Sequence, residues 1–381
     1  MKMSQRALSV EPSIIREMSN RRRPSSVDLS LGEPALPPPQ DALVRAFEAL
    51  RSGPQGYTHN AGLLELREAV AEYHQLSERS TTDNVVITVG SEEALLLAMG
   101  CVLDPGDEIL VPEPGFPPYR SLARFLGATP VGYRIERSTG LVARPEAMRV
   151  SPRTKAILLN SPSNPFGMIE SEAELSTIVR LAEANDLWIL SDEVYREVRY
   201  DGVSFRSIAE LSDRTLLIGG LSKSCAMTGM RLGWMIGDAE LTKKAILLHQ
   251  SFVTCAPRIS QLMALEVFRS PKLLTDHVPF YERARAAGRA VEAQLGAPLL
   301  LGGGAFYGIL DVSAFANGDP LKLALEILDA EDVVTVPGIA FGAGGEWFLR
   351  LSYAAGETPF REGLTRIGRF LSRRADNGKQ G

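Results

Sequence analysis

Short apolar runs alternate with longer segments of helical pattern between residues 84 and 237. Each run holds three to five residues rich in valine, isoleucine and leucine, which is typical of a buried strand. Regular alternation of such runs with helical segments predicts a mostly parallel β-sheet covered by helices on both faces. The predicted strands span residues 85–89, 108–111, 129–133, 156–159, 188–190, 215–218 and 232–236.

Two further segments have the periodicity of helices. In the segment 63–73, apolar residues recur on one face and glutamates lie on the opposite face, which predicts a surface helix. A helical pattern also covers 241–270 and is interrupted by Pro271, which cannot continue a helix. We therefore predict a surface helix over 63–73, a helical stretch over 241–270 and the start of a second structural unit after that stretch.

The length of 381 residues allows two or three domain-sized units. The region of alternating strands and helices predicts a large α/β domain over residues 36–270. The region after Pro271 predicts a smaller α+β domain over 271–381. Residues 1–35 are assigned to an N-terminal arm that forms part of this smaller domain.

Charge and hydropathy exclude several partners. The net charge is −5 and the only dense basic cluster is Arg21 to Arg23, beside a proline and two serines, so nucleic acid is not expected. No stretch approaches the ~18 uninterrupted apolar residues of a membrane span. Residues 1–10 lack the apolar core of a signal peptide, which favours a cytoplasmic protein.

Cysteines and histidines indicate neither disulfides nor a metal site. Cys101, Cys225 and Cys255 lie in apolar surroundings, which suits buried thiols. The four histidines are far apart in sequence and form no short ligand motif, so we expect no metal.

Polar residues follow three of the predicted strands. Asn164 comes after 156–159, Asp192 after 188–190, and Lys223 after the apolar run that starts at Thr215. In open α/β sheets, ligands bind beyond the carboxyl ends of the strands. Taken singly, the asparagine is typical of a surface turn, the aspartate of a turn or helix cap, and the lysine of a solvated side chain.

Gly90, Ser91 and Glu92 lie where a predicted strand meets a helix. The first-turn amides of such a helix have no partner within it and can bind phosphate, although a plain helix start fits equally well. The segment 219–224 lacks the Gly-Lys-Ser/Thr ending of a nucleotide-binding P-loop.

Three motifs occur at 164–167 (Asn-Pro-Phe-Gly), at Asp192 with Tyr195, and at 222–234 (Ser-Lys-Ser-Cys-Ala-Met-Thr-Gly-Met-Arg-Leu-Gly-Trp). Together they resemble the pyridoxal-phosphate site of the aspartate aminotransferase superfamily. These are the class I and II aminotransferases of fold type I. Eight or nine such motifs occur in order from Gly32 to Arg350. The resemblance implies a large cofactor domain, a small domain and a homodimer. It also implies ping-pong transfer of an amino group from an L-amino acid to a 2-oxo acid, in amino-acid metabolism.

The resemblance also implies roles for catalytic residues. Lys223 would carry the internal aldimine and then act as the base, which requires a lowered pKa. Asp192 would keep the ring nitrogen protonated. The hydroxyl of Tyr195, one turn further on if a helix begins there, would bond the ring oxygen together with Asn164.

Other residues would hold the cofactor or the substrate. Arg231 resembles the phosphate-binding arginine, Phe116 the ring that stacks on the cofactor, and Tyr57 the tyrosine that crosses the dimer interface to the neighbour's phosphate. The full set expected to bind cofactor is Tyr57, Gly90, Ser91, Glu92, Phe116, Asn164, Asp192, Tyr195, Ser222, Lys223 and Arg231. Two positions depart from the family pattern: Phe166 replaces a threonine, and Gly220 replaces a hydroxyl residue.

Arg350, in a segment similar to the family's carboxylate-binding one, would fork onto the substrate's α-carboxylate, with Gly32 and Asn164 beside it. A structural arginine in an ion pair is the alternative for Arg350. Arg120 and Arg124 could meet a distal carboxylate, but their spacing favours a solvated helix face.

Two other functions use the same residues. A β-eliminating lyase of the same fold is the main alternative, because a fold does not fix the fate of the carbanion. A cofactor-bound sensor is less favoured, since no basic helix-turn-helix segment precedes Gly32.

Overall fold

The computed structural model describes residues 2–8, 12–76 and 81–378, so part of the N-terminal segment 1–10 lies outside the described residues. The strands are β1 Val27–Asp28, β2 Val85–Thr88, β3 Glu108–Glu113, β4 Thr129–Arg134, β5 Thr154–Asn160, β6 Trp188–Asp192, β7 Thr215–Gly220, β8 Gly233–Ile236, β9 Leu299–Leu301, β10 Tyr307–Asp311, β11 Val333–Val334, β12 Val336–Pro337 and β13 Phe348–Ser352. The helices are α1 Gln5–Leu8, α2 Ile14–Asn20, α3 Gln40–Ser52, α4 Leu64–His74, α5 Ser91–Val102, α6 Pro118–Leu126, α7 Glu172–Ala184, α8 Ala239–Val253, α9 Arg258–Phe268, α10 Val278–Val291, α11 Ser313–Ala316, α12 Pro320–Glu331 and α13 Glu357–Gly378.

A seven-stranded sheet in the order β2-β8-β7-β6-β5-β3-β4 forms the centre of the fold. Every neighbouring pair from β7 to β4 is parallel, and β8 runs antiparallel to both of its neighbours. The strands β2, β5, β6, β7 and β8 are almost wholly buried, as expected for a sheet covered on both faces. The predicted α/β fold with a mostly parallel sheet is confirmed, and all seven predicted strands are present.

Two apolar layers cover the central sheet. On one face, α4 and α9 pack with β2 and β8 around Val70, Ile87 and Met263. On the other face, α5 and α6 pack with the middle strands around Leu97 and Leu158. The helix predicted over 63–73 is confirmed as α4, with its apolar face buried.

The helical stretch predicted over 241–270 is confirmed, and it consists of two helices. It is divided into α8 and α9 by the residues 254–257. Thr254 has a left-handed φ of 66°, which ends α8, and Pro257 lies directly before the first residue of α9. A proline lacks the N–H that a continuous helix would need there, so the chain turns before it resumes a helix.

A further apolar cluster, separate from the two layers on the central sheet, lies among the helices α10, α12 and α13 and the four-stranded sheet β12-β13-β10-β9. The N-terminal arm joins this region, because β1 pairs in parallel with β11 through Val27–Val333 and Asp28–Val334. The exact domain limits, 1–35, 36–270 and 271–381, stay predictions.

The three cysteines are free, and Cys225 is buried whereas the other two are partly buried. Among the described helices, none combines the length and the apolar character that crossing a membrane requires.

Candidate active site

Three polar residues singled out in the sequence follow adjacent parallel strands. Asn164 lies four residues beyond the end of β5, Asp192 is the last residue of β6, and Lys223 lies three residues beyond β7. Because β5, β6 and β7 are neighbours in the sheet, these residues emerge at the same edge.

Lys223 contacts the N-terminal arm. Its Nζ donates a hydrogen bond to the carbonyl oxygen of Gly32 at 2.7 Å. Burial, and next the positive charge of Arg350, lower the pKa of Lys223 to about 8. A Cβ at Gly32 would lie only 2.0 Å from the hydroxyl oxygen of Tyr307, so the close approach of this backbone requires glycine. Because its pKa is lowered, the Lys223 amine is a stronger candidate base at neutral pH than an ordinary lysine.

Asp192 is a buried carboxylate, 3% exposed. Its Oδ2 accepts a hydrogen bond from the Tyr119 hydroxyl at 2.8 Å, and its Oδ1 accepts one from the Val194 N–H at 3.3 Å. Burial raises the pKa of Asp192 to about 6. Within the described part of the chain, no arginine, lysine or histidine lies within ion-pair distance of this carboxylate, so a cationic ligand group beside it would offset its desolvation.

Tyr195 follows in a turn, not in the helix that the sequence suggested. The hydrogen bonds Arg196 N–H to Glu193 O and Val198 N–H to Tyr195 O span three residues each, and the chain then leaves the turn. The buried Tyr195 hydroxyl lies 2.7 Å from the hydroxyl of Tyr307. Burial raises the pKa of Tyr195, which keeps the phenol neutral.

Arg350, on β13, is 2% exposed. One of its Nη atoms donates to Asn164 Oδ1 at 3.1 Å and the other to the carbonyl oxygen of Ser30. Its Cζ lies 4.4 Å from the ring centre of Tyr307 and 5.0 Å from that of Phe341.

No carboxylate in the described residues pairs with Arg350, so the ion-paired structural role is wrong. The Nε of Arg350 is buried without an acceptor. Burying an unpaired charge is costly, and burial lowers the pKa of this arginine. A carboxylate ligand would satisfy both needs.

Asn160 links two of the strand ends. Its side chain accepts a hydrogen bond from the Asn164 N–H at 2.7 Å and donates one to the carbonyl oxygen of Asp192 at 3.0 Å. The side chain of Asn164 directs Oδ1 at Arg350, which leaves its amide N–H groups available to a ligand. Phe166, the first departure from the family pattern, is buried in an apolar cluster beside Phe348, so no polar role is lost there.

A second anion-binding feature lies at the start of α5. Gly90 caps this helix with a φ of 80°, and a Cβ there would lie 2.7 Å from Nη2 of Arg231. The guanidinium therefore lies beside the N-cap of α5, and the first-turn amides of a helix have no partner within it. Glu92 is exposed, whereas Glu93 turns back to accept from the Val89 N–H at 2.5 Å.

Three other predicted residues border these features. Phe116 packs edge-to-face on Tyr119, with ring centres 5.5 Å apart, and Tyr119 is the residue whose hydroxyl donates to Asp192. Ser222 is partly buried and directly precedes Lys223. At Gly220, the second departure, a Cβ would lie 3.2 Å from the Leu232 carbonyl oxygen, so a hydroxyl residue would need a small shift.

Tyr57 does not contact the residues above within one chain. Its side chain is 83% exposed. The guanidinium of Arg258 donates to the carbonyl oxygens of Gly56 at 2.9 Å and Tyr57 at 3.0 Å, which fixes the backbone that presents this ring.

Sequence reasoning missed the aromatic residues that orient the site. Tyr119, Tyr307 and Phe341 contact Asp192, Tyr195 and Arg350, respectively. Only Tyr119 had a local signal, because it lies three residues after Phe116 in the same motif. No group of three or more histidine, cysteine, aspartate or glutamate side chains able to hold a metal ion occurs among the residues that the structure describes.

The sequence and the fold are both similar to those of known proteins. A family model described as aminotransferase class I and II matches residues 24–364. The aspartate/prephenate aminotransferase of Thermus thermophilus is 34% identical over 358 residues, with 91% of each chain covered. The aromatic-amino-acid aminotransferase 2 of Thermococcus litoralis is 33% identical, with 97% of this chain and 98% of the relative covered. A solved structure of aspartate aminotransferase from Thermus thermophilus with maleate has a TM-score of 0.90 and 32% identity, covering 97% of this chain and 99% of the other.

Proposed function

Because this chain belongs to the class I and II aminotransferase family, we propose that it uses pyridoxal phosphate to move amino groups from L-amino acids to 2-oxo acids. The observation that carries the proposal is the proximity of three groups: the amine of Lys223 lies close enough to the buried carboxylate of Asp192 and the buried guanidinium of Arg350 for both charges to act on it. They can supply covalent attachment, a countercharge for a cationic ring and a site for a carboxylate.

The residues present fit this cofactor. Bound pyridoxal phosphate supplies an aldehyde that accepts an amino group and a ring that withdraws electrons from the substrate's Cα. Lys223 would hold the aldehyde carbon covalently, and Asp192, which has no cationic partner among the described residues, would hold a proton on the ring nitrogen. The free amide of Asn164 and the hydroxyl of Tyr195 would donate to the ring oxygen. If Tyr307 donates to Tyr195, the Tyr195 hydroxyl keeps its own proton for this bond.

The phosphate would lie between α5 and Arg231. The close contact of Arg231 with Gly90 brings a cation to the helix end whose amides are free. Ser91 and Glu92 would offer first-turn amides and Ser222 a hydroxyl, while Phe116 would cover one face of the ring. The carboxylate of Glu92 is exposed and can point away from the phosphate.

Lys223 also has the properties of the proton carrier. Its lowered pKa leaves a substantial fraction of free amine at neutral pH. Once the substrate's amine has displaced it, Lys223 would take the proton from the substrate's Cα. It would then deliver this proton to the aldehyde carbon of the cofactor. The oxo acid then leaves before the second substrate binds, in a ping-pong exchange.

Arg350 would bind the α-carboxylate of both substrates. We expect Arg350→Ala to raise the KM for amino acids about 30-fold or more, because truncation of one member of a buried charge pair costs about 2–5 kcal/mol. Cofactor should stay bound, because its proposed attachment to Lys223 and its proposed phosphate site at Gly90 and Arg231 do not include Arg350. Steady-state kinetics and absorbance of the bound cofactor measure the two effects separately.

The control is Arg180→Ala, which removes an exposed arginine of α7. Arg258 is avoided as a control because its side chain holds the backbone at Tyr57. An Arg350→Ala enzyme with unchanged KM would remove this arginine from substrate binding. Arg350→Lys should recover only part of the loss, because a lysine cannot form the two parallel bonds of a guanidinium.

We further propose that the enzyme is a homodimer in which Tyr57 reaches the neighbour's phosphate. The exposure of this ring is otherwise costly, and exposed apolar side chains occur nearby in sequence at Phe47 and Leu64. In this arrangement each site takes Lys223 from one chain and Tyr57 from the other.

Mixing two inactive or weakened variants tests this arrangement. Tyr57→Ala should weaken cofactor affinity about tenfold by loss of a bond to a charged group, and Lys223→Ala should abolish transfer. A mixed dimer contains one site with both residues intact and one site with neither. Tight cofactor binding and activity should therefore return in one of the two sites of each heterodimer. No recovery after exchange of subunits, verified by analytical ultracentrifugation, would contradict a role for Tyr57 across the interface.

The amino donor is not fixed by the comparisons, because the relatives named above include an aspartate/prephenate and an aromatic-amino-acid enzyme. Incubation of the enzyme with amino acids and either 2-oxoglutarate or pyruvate tests the reaction class. Formation of the donor's oxo acid and a new amino acid in equal amounts supports the proposal. Release of ammonia and pyruvate from a β-substituted donor, without amino transfer, would overturn it.

A further inference from the structure

One of the two arginines that the sequence offered for a second substrate carboxylate, Arg120, forms an ion pair within the chain. Arg120 lies on α6, and its Nη2 is 2.5 Å from Oε1 of Glu113, with the two side chains only 19% and 23% exposed. The same glutamate oxygen accepts the N–H of Ala343 at 3.1 Å. The expectation of a solvated helix face is therefore wrong for Arg120, and its charge is neutralised by a carboxylate that is itself held in place.

This ion pair borders the proposed substrate position. The ring of Phe341 faces Arg350, and its carbonyl oxygen accepts the N–H of Gly115 at 2.9 Å. The next residue, Gly342, has a φ of 114°, and a Cβ there would lie 2.2 Å from Nη1 of Arg120. The pair thus lies against the residue that follows Phe341 and borders the aromatic wall of the carboxylate site.

The surroundings of Arg350 are apolar on this side. Phe341 is buried in one cluster with Phe166 and Phe348, and Ile15 of the N-terminal helix α2 packs against that cluster. A carboxylate placed against such a surface would lose hydration without gaining a free cation.

Two exposed or partly exposed carboxylates add negative charge near the amine. Glu33 and Glu92 both act on Lys223 and favour its protonated form. Glu33 is held by a hydrogen bond from the Thr228 hydroxyl at 2.9 Å. Both carboxylates are exposed, so water screens most of their repulsion of a second substrate carboxylate, and their contribution is small.

We propose that the amino donor of this enzyme has an uncharged side chain, apolar or amide-bearing, and that the Glu113–Arg120 pair excludes dicarboxylic donors. This inference rests on the proposed function and adds the substrate class. Glu113 acts as a specificity-determining residue, because it removes the charge that would otherwise bind a distal carboxylate.

Binding of two unreactive analogues tests the inference without turnover. Glutarate and its monoamide differ only in one distal group, and both offer a carboxylate to Arg350. Calorimetry on the holoenzyme should find the monoamide bound at least tenfold more tightly than glutarate. Equal binding, or tighter binding of glutarate, would overturn the inference.

Substitutions of the pair give a gain of binding. Glu113→Gln releases Arg120 and should strengthen glutarate binding about tenfold, with little change for the monoamide. The double variant Glu113→Gln/Arg120→Gln should lose this gain. As a control for the loss of one carboxylate, Glu240→Gln frees Lys243 from an exposed ion pair on α8 and should change neither affinity. A Glu113→Gln enzyme that binds glutarate no better than the wild type would contradict the role of the pair.

A parallel assay of amino transfer from glutamine and from glutamate separates the two levels of the account. Transfer that favours glutamate by kcat/KM overturns the substrate class alone. Absence of transfer from every amino acid offered overturns the proposed function, and the substrate class with it.

Discussion

Lys223→Ala should abolish amino transfer, with a loss of about 10⁴-fold or more, because one substitution removes both the attachment point and the proton carrier. The loss has a physical basis in the contact of Nζ with Gly32 and in the lowered pKa of the amine. The visible absorbance of covalently bound cofactor should disappear as well. Absorbance spectra and single-turnover kinetics measure the two losses independently.

Lys272→Ala is the matched control, since Lys272 is an exposed lysine in the turn before α10. It should retain both absorbance and activity. A Lys223→Ala enzyme with the wild-type spectrum and rate would remove Lys223 from the mechanism.

Asp192→Asn should lower kcat about 10³-fold while the protein keeps its fold and Lys223 still binds cofactor. Asparagine has the shape of aspartate and can accept from Tyr119, but it cannot balance a positive charge on the ring nitrogen. Loss of one preorganised electrostatic group costs about 10²–10³ in rate, and the loss here affects every proton transfer at the substrate's Cα. Rapid-reaction measurement of the first half-reaction isolates the affected step.

The control is Asp186→Asn, a substitution of the same type at an exposed aspartate near the start of β6. Its kcat should stay within a factor of two, as for most surface substitutions. If Asp192→Asn behaves like this control, the carboxylate does not act on the cofactor.

The strand ends of the site were predictable because parallel strands place their carboxyl ends at one edge. The apolar runs before Asn164, Asp192 and Lys223 define β5, β6 and β7, and the covered sheet follows from their alternation with helices. The family resemblance then supplied roles that a strand pattern alone does not give.

Contacts between distant segments were not predictable from local patterns. The position of Arg350 beside Asn164 depends on how the sheet with β13 packs against the ends of the central strands. The ion pair between Arg120 and Glu113 forms where the turn at Gly342 approaches α6 closely. Helical spacing describes one element at a time and cannot report a partner that arrives from elsewhere in the chain.

The break between α8 and α9 was missed for a different reason. Apolar residues keep a helical period on both sides of residues 254–257, so the periodicity concealed the short break there.

Reduction of the holoenzyme with borohydride, followed by proteolysis and mass spectrometry of the peptides, tests the central claim most directly. Borohydride converts a lysine–cofactor link into a stable secondary amine. The account predicts a pyridoxyl-phosphate group on the peptide that contains Lys223 and on no other lysine. Cofactor found on a different lysine, or on none after reduction of fully active enzyme, would contradict it.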